Sequence, residues 1–350
     1  MSVANPQDAA ISVRPGTRSK WLNPGLGLTL LIVLIVGLYP AVTGKPADRE
    51  VVFTMLMSMA LASSLNILLG YTGYVSFGHI VFYGLGGYVG MYMLGTLNLP
   101  LPVAMLGGGL AAGLLAFLVG KAILRLRGAY FALATIGINK AARAFINNFK
   151  PFGGPTGLQL NFQIYNAYGG AMQALQLVYW LMLGLLIIIL LVSYAVRSSK
   201  FGLGLFAIRE NEDAAEVMGV VTPDAKTWAY VLSAIGPGII GTLFFFKNAT
   251  ILPGDAFRLH LSIEMIVMVM LGGQGTLLGP VIGAAGYNRL RGWLITLSIP
   301  ETSPFSFLNI AKDLQLAVAG TLLLIIILFI PAGLIGWLRK RVPALRKVLE

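Results

Sequence analysis

The chain has 350 residues and a formal net charge of +12, with 57% hydrophobic and 11% charged residues. Soluble globular domains carry about 25% charged residues, so this composition excludes a water-soluble protein. It predicts an all-α integral membrane protein built as one polytopic domain. The chain has no cysteine and only two, widely separated histidines, so no metal site is predicted. Its basic residues flank apolar runs, as membrane orientation requires, and nucleic-acid binding is not predicted.

Roughly ten apolar runs approach the length of about 20 residues that a helix needs to cross the hydrocarbon core. Threading them from a cytoplasmic N terminus places most Lys and Arg residues on the cytoplasmic side, as the positive-inside rule demands. We therefore expect a cytoplasmic tail over 1–20, a transmembrane domain over 21–338 and a basic cytoplasmic tail over 339–350. The expected spans are 22–40, 51–69, 74–95, 101–120, 128–147, 174–196, 227–247, 262–280, 281–299 and 314–336.

The segment 197–223, here called the acidic segment, is polar and charged although it lies between two long apolar runs. Its pattern predicts one short helix over 205–218, followed by Gly219 as a C-cap. One interpretation is a solvated connector on the membrane surface. Membrane-surface helices usually carry Lys and Arg on the polar face, so the acidic residues favour docking of a second protein. The apolar face of this helix consists of Ile208, Ala215 and Met218.

Two glycine-rich stretches, 70–88 and 272–287, form a weak internal repeat on either side of the acidic segment. Glycine in a span permits either close helix packing or a broken helix, and matched breaks in two halves point to a transport site. Polar side chains beside these glycines favour the second interpretation. The residues expected to line a translocation path are Tyr74, Ser76, His79 and Gln274, together with Glu264, the one carboxylate within an expected span.

Four basic residues fall within or near expected spans, where a charge is costly unless it reaches water, a partner group or the membrane interface. Either these side chains extend to the interface, or they line the path of an anionic group. They are Lys140, Arg143, Arg289 and Arg291. The polar loop 151–170 is expected outside, where it either receives a substrate-delivering protein or simply joins two helices.

Motifs for chemistry on the chain itself are absent. No G-x-x-x-x-G-K-[ST] pattern occurs, so the chain does not bind ATP through a P-loop. No hydrolytic set of residues is present, and an enzyme is not predicted. Proton-driven transporters usually carry ionisable groups at mid-membrane; their scarcity here predicts that energy comes from another subunit.

Five stretches in order resemble the LivM-type permease subunits of ABC transporters for branched-chain amino acids. They are LGYTGYVSFGHIVFYGLGGY, LRLRGAYFALATIGI, FGGPTGL, SKFGLGLFAIRENEDAAEVMGV and LSIEMIVMVMLGGQGTLLGPVIGA, which together extend from Leu69 to Ala284. The resemblance implies that FAIRENEDAAEVMGV is the cytoplasmic coupling region, which docks into an ATPase subunit. The coupling residues expected on this basis are Leu205, Ile208, Arg209, Glu210, Ala215, Met218 and Gly219.

The resemblance further implies a bacterial plasma-membrane protein with a second permease subunit, two ATPase subunits that use the ATP, and a soluble substrate-binding protein outside. No cofactor is expected in this chain. Relatives often have an acidic residue where this chain has Asn139-Lys140, which leaves urea, amide and aromatic-acid importers as alternatives. A stand-alone secondary transporter or channel and a non-transporting scaffold are the other hypotheses.

Overall fold

The computed structural model describes residues 24–296 and 333–341, and helices account for most of them. Two short strands, β1 (Leu158–Gln159) and β2 (Thr250–Ile251), pair antiparallel, with Leu158 opposite Ile251. The helices are α1 Pro24–Thr43, α2 Pro46–Thr72, α3 Ile80–Gly95, α4 Leu101–Ile123, α5 Ala129–Asn148, α6 Ala171–Ser198, α7 Lys200–Glu210, α8 Glu212–Val217, α9 Thr222–Asn248, α10 Pro253–Ala256, α11 Leu259–Gly272, α12 Leu278–Thr296 and α13 Gly333–Arg341.

The all-α class is confirmed, and a helix lies in each of the first nine expected spans. Five described helices, α1, α2, α4, α6 and α9, are long and apolar enough to cross a membrane. The total of ten spans stays a prediction. Most of the expected span 314–336, the tail 1–20 and all but the first residues of the tail 339–350 lie outside the described residues.

The third and eighth expected spans are shorter than predicted, because the glycine-rich stretches interrupt their helices. The first break, residues 73–79, separates α2 from α3, and the second break, residues 273–277, separates α11 from α12. Gly73 (φ +77°) and Gly275 (φ +78°) adopt left-handed backbone conformations at these breaks, which glycine reaches without a Cβ penalty. The predicted helix breaks are therefore present.

Helices α2 and α9 form the centre of the bundle, and about four-fifths of an apolar 18-residue stretch in each is buried (83% and 78%). Close packing of α3, α4 and α9 depends on three glycines, one on each helix: Gly86, Gly108 and Gly238. A Cβ at Gly238 would lie 2.7 Å from the carbonyl oxygen of Gly108, and one at Gly86 would overlap the backbone of Gly238. Thr242 Oγ1 donates to the Gly86 carbonyl at 2.9 Å across this contact.

The single helix predicted over 205–218 is wrong, because the chain forms α7 and α8 with a break at Asn211. Asn211 is extended (φ −160°), and its side chain accepts a hydrogen bond from the Ala214 N–H at the start of α8. This is the N-cap geometry that asparagine favours. The predicted end of the helix at Gly219 is confirmed: Gly219 has φ +88°, and Val220 N–H bonds the Ala215 carbonyl, as in a Schellman motif.

Candidate functional site

Arg209, at the end of α7, lies between the two glycine-rich breaks. Its Nη1 donates to the Gly70 carbonyl at 2.8 Å. A Cβ at Gly73 would lie 3.3 Å from Arg209 Cγ, and one at Gly275 would lie 2.8 Å from Arg209 Nη1. The two breaks therefore lie at the same end of the molecule, with the aliphatic part of the Arg209 side chain beside Gly73 of the first and its guanidinium beside Gly275 of the second.

Asn66, buried in α2, fixes the second break. Its Nδ2 donates to the Thr276 carbonyl at 3.0 Å, and its Oδ1 accepts from the Gly275 N–H at 2.9 Å. These bonds satisfy backbone groups that the break removes from helical pairing. Sequence reasoning missed Asn66; the available signal was an amide within the otherwise apolar run 51–69.

A buried lysine joins the acidic segment to the bundle. Lys226, in the first turns of α9, is 2% exposed, and its Nζ lies 2.6 Å from Glu212 Oε1. The same Nζ donates to the Leu124 carbonyl at 2.8 Å and to the Tyr74 hydroxyl at 3.1 Å. Tyr74 in turn donates to Glu212 Oε2 at 2.6 Å. These contacts connect α8, α9, the first break and the end of α4.

The carboxyl of Glu212 is held ionised by this network. Burial acts to raise its pKa, but hydrogen bonds from Lys226 and Tyr74 and the positive charges of Lys226 and Arg127 outweigh burial, so the pKa lies below its usual value. A depressed folded-state pKa contributes stability above the usual glutamate pKa. That contribution is lost as the pH falls through the folded value. The contribution of ionised Glu212 to the stability of α8 against the bundle is therefore expected not to change with pH near neutrality.

The predicted contact face of the acidic segment is largely wrong. Leu205, Ile208 and Ala215 are buried against the protein's own core and are not available to a second protein. The break at Asn211 turns Met218 away from these three, and Met218 is 70% exposed. Two residues that sequence reasoning missed complete an apolar patch with it: Val217, 90% exposed, and Val221, 64% exposed.

Exposed carboxylates precede, interrupt and follow this patch along the chain. We call Val217, Met218 and Val221 the apolar patch, and its acidic rim consists of exposed Glu210, Asp213, Glu216 and Asp224. Asp213 pairs with Arg127 at 2.8 Å, and Glu216 accepts from the Thr222 hydroxyl at 2.6 Å. An exposed apolar centre with a polar rim is the anatomy of a protein interface.

His79 is a packing residue in this structure, although it was expected in a path. It is fully buried, and its Nε2 lies 2.9 Å from the Ser233 carbonyl, which also accepts from Ser64 Oγ at 2.9 Å. Pro237 stands four residues after Ser233 within α9 and lacks the N–H that would bond this carbonyl. His79 and Ser64 supply the missing donors.

The other expected path residues are also engaged in packing or at the helix breaks. Tyr74 belongs to the Lys226 network, Ser76 is fully buried and Gln274 lies half-buried in the second break. Glu264 is 5% exposed, and its Oε1 accepts from Tyr287 at 2.9 Å and from Arg291 at 3.0 Å, with His260 Nε2 also at 3.0 Å. The described residues do not bring these five side chains together around an open cavity.

The four basic residues of the expected spans divide into two groups. Arg291 pairs with Glu264, which accounts for its charge. Lys140, Arg143 and Arg289 are exposed.

The polar loop 151–170 packs on the end of α9, where Leu160 N–H donates to the Ala249 carbonyl at 2.8 Å.

A family model described as the permease component of branched-chain amino acid transport systems matches residues 49–328. The LivM permease protein of the high-affinity branched-chain amino acid transport system of Escherichia coli (strain K12) is 28% identical over 78% of this chain and 69% of its own length. Its Salmonella typhimurium counterpart is 24% identical over 94% and 79%. A probable LivM protein of Methanocaldococcus jannaschii is 27% identical over 64% and 66%.

No solved structure matches the chain. The family match covers most of the sequence, and the relatives are transport permeases and not enzymes. The long apolar helices agree with a multi-pass membrane protein. The chain belongs to the family of permease components of branched-chain amino acid transport systems.

Proposed function

We propose that this chain is a membrane-spanning permease subunit of an ATP-driven ABC importer for branched-chain or similar small amino acids. It works with a second permease subunit, two ATPase subunits that use the ATP, and a substrate-binding protein outside the bacterial plasma membrane. The chain crosses that membrane about ten times, and both termini are cytoplasmic. Family membership and the LivM relatives support this proposal.

The observation that supports the coupling role is the position of Arg209, which bonds the Gly70 carbonyl at the end of α2 and lies beside Gly73 and Gly275 of the two breaks. In the proposed mechanism, the apolar patch docks into an ATPase subunit and the acidic rim pairs with basic residues there. Movement of the ATPase reaches α9 through Glu212 and Lys226 and reaches both breaks through Arg209. Because packed helices shift as rigid elements, a displacement of α7 and α8 changes the side of the membrane to which the path opens.

A charge placed in the apolar patch tests the docking surface. We expect Val217→Glu to reduce ATPase subunits recovered with the purified chain by ~tenfold or more, because docking would bury an unpaired carboxylate. Val217 is exposed and contacts little of its own chain, so insertion should be unaffected. The measurement is ATPase activity in the eluate after purification in mild detergent.

Leu252→Glu is the matched control. Leu252 is 42% exposed and follows β2, at the opposite end of α9 from the apolar patch. We expect it to retain the ATPase subunits. Equal recovery with both variants would contradict docking through Val217. Urea, amide and aromatic-acid importers are the alternative substrate assignments, and uptake by the assembled transporter distinguishes them.

A further inference from the structure

The exposed face of α5 is small and basic in the second half of the helix. Its buried stripe holds Phe131, Thr135, Asn139 and Ile146. The opposite stripe, here called the α5 stripe, consists of exposed Gly137, Lys140, Ala141, Ala144 and Asn148, with Arg143 at its edge. A Cβ at Gly137 would meet no atom within 4 Å. Tyr130 and Leu133, 74% and 65% exposed, lie on the same face nearer the start of the helix. The part of this face from Gly137 to Asn148 therefore offers little apolar surface to lipid.

Helix α4 provides an internal comparison, because its exposed stripe is purely leucine. Leu106, Leu110, Leu114 and Leu118 recur every four residues and are each at least 60% exposed. Such a stripe suits hydrocarbon. The α5 stripe instead contains Lys140 near the middle of the helix. At a rise of 1.5 Å per residue, Lys140 lies roughly 17 Å from the start of α5 and about 12 Å from its end. The two exposed faces are therefore suited to different surroundings.

Neither cation of α5 is neutralised within the described part of the chain. Lys140 and Arg143 are absent from all its ion pairs, and Asp255, on the neighbouring helix α10, is paired with Arg258. A cation at mid-span is costly unless it faces water or an anionic group. Two exposed cations three residues apart share one face and together favour an anion.

A shallow groove opens at the outer end of the same stripe. It has a volume of about 340 Å³ and is lined by Ala144, Phe145, Asn148 and Phe149. Ala144 and Asn148 follow Lys140 at intervals of four residues, so they continue its face toward the helix end. A small solute in this groove would reach Lys140 along the face that Lys140 shares with Ala144.

We propose that the α5 stripe forms one wall of the substrate path and that Lys140, with Arg143, binds the carboxylate of the transported amino acid. This inference rests on the proposed function and specifies its substrate class. It places the path along the α5 stripe and not along the two breaks. It also excludes urea and neutral amides, which lack an anionic group for these cations.

Single cysteines test whether the stripe faces water, because the chain has no native cysteine. In the assembled transporter, we expect Ala144→Cys to react with a charged, water-soluble methanethiosulfonate at least ~tenfold faster than Leu110→Cys on the leucine stripe, since lipid excludes the reagent. Saturating L-leucine with its binding protein should slow the reaction at Ala144→Cys. Equal reactivity of the two cysteines would overturn the assignment of the stripe to the path.

Uptake of radiolabelled L-leucine by proteoliposomes tests the role of the charge. We expect Lys140→Gln to lower the rate by ~tenfold at saturating binding protein, because a charge-assisted hydrogen bond is lost, while Lys140→Arg keeps most of it. ATPase stimulation by the loaded binding protein should change little, which separates a substrate contact from a folding defect. Lys121→Gln, at the exposed end of α4, is the matched control.

Unchanged uptake in Lys140→Gln would overturn the carboxylate assignment. Failure of the wild-type transporter to import L-leucine would instead contradict the proposed function. In that case the cysteine comparison still decides whether the α5 stripe faces water.

Discussion

Replacing Lys226 with methionine is expected to lower the free energy of unfolding by about 3 kcal/mol, the low end of the range for breaking a buried ion pair. The low end applies because Glu212 keeps 13% exposure and Arg127 lies 3.5 Å from its Oε1. The substitution removes the Lys226 donor from Glu212 Oε1 and from the Leu124 carbonyl, while Tyr74 still donates to Glu212 Oε2. Thermal unfolding of the purified chain in detergent measures this loss, and recovery of ATPase subunits should fall with it.

Glu212→Gln provides the second arm of a double-mutant cycle. Adding it to Lys226→Met removes the Glu212 carboxylate charge that has lost its lysine partner. The double variant should therefore be destabilised by about 1–3 kcal/mol less than the sum of the single variants. Arg127→Gln is the control, because its side chain is 52% exposed and exposed pairs contribute about 0–1 kcal/mol. Strictly additive effects of Lys226→Met and Glu212→Gln would show that the pair does not anchor α8.

Gly86→Ala is expected to destabilise the chain by about 3 kcal/mol, because overpacking forces rigid backbones apart. The new Cβ would overlap the Cα and carbonyl oxygen of Gly238, and neither atom can rotate away. The movement would also disturb the Thr242 hydrogen bond to the Gly86 carbonyl. Thermal unfolding in detergent, with the yield of folded protein, measures the effect.

Gly184→Ala is the matched control for this prediction. Gly184 also lies within a long apolar helix, α6, but a Cβ there would meet no atom within 4 Å. Alanine has a higher helix propensity than glycine, so this variant should be neutral or slightly more stable. Equal losses at Gly86 and Gly184 would indicate a general intolerance of α-helical substitution, not close approach of α3 and α9.

The positions of the long helices could be predicted because apolar runs of a fixed length have few alternatives in a membrane. The predicted spans 101–120 and 128–147 correspond to helices Leu101–Ile123 and Ala129–Asn148. The end of α8 was also predictable, since Gly219 follows the last apolar residue of the pattern and glycine readily adopts the left-handed cap. These features depend on local chemistry.

The acidic segment shows where local chemistry was insufficient. An apolar helical face predicts that the face is buried, but it does not show whether the same chain or a second protein covers it. Ile208 and Ala215 pack on the chain's own core. The Asn211 N-cap, followed by Glu212 and Asp213, was a readable signal for a second helix start. Once the helix breaks there, Met218 and Val217 fall on a different face.

The packing contacts of the polar residues beside the glycines could not be predicted for a related reason. A histidine in an apolar span suggests a path, yet His79 contacts the Ser233 carbonyl that Pro237 leaves without a helical donor. That pairing joins residues 154 positions apart, so it depends on the packing of α9 against the first break. For Lys140, the sequence left open both extension to the interface and a place in the path of an anionic group. Its small exposed neighbours Gly137, Ala141 and Ala144 favour the second.

ATP-dependent uptake by proteoliposomes tests the central claim most directly. The vesicles contain this chain, its partner permease and the ATPase subunits, with the binding protein on the opposite side from ATP. The account predicts that L-leucine accumulates only with hydrolysable ATP and loaded binding protein, and that Val217→Glu abolishes this accumulation. L-leucine equilibrating at the same rate without ATP or ATPase subunits would contradict the account and identify a stand-alone transporter.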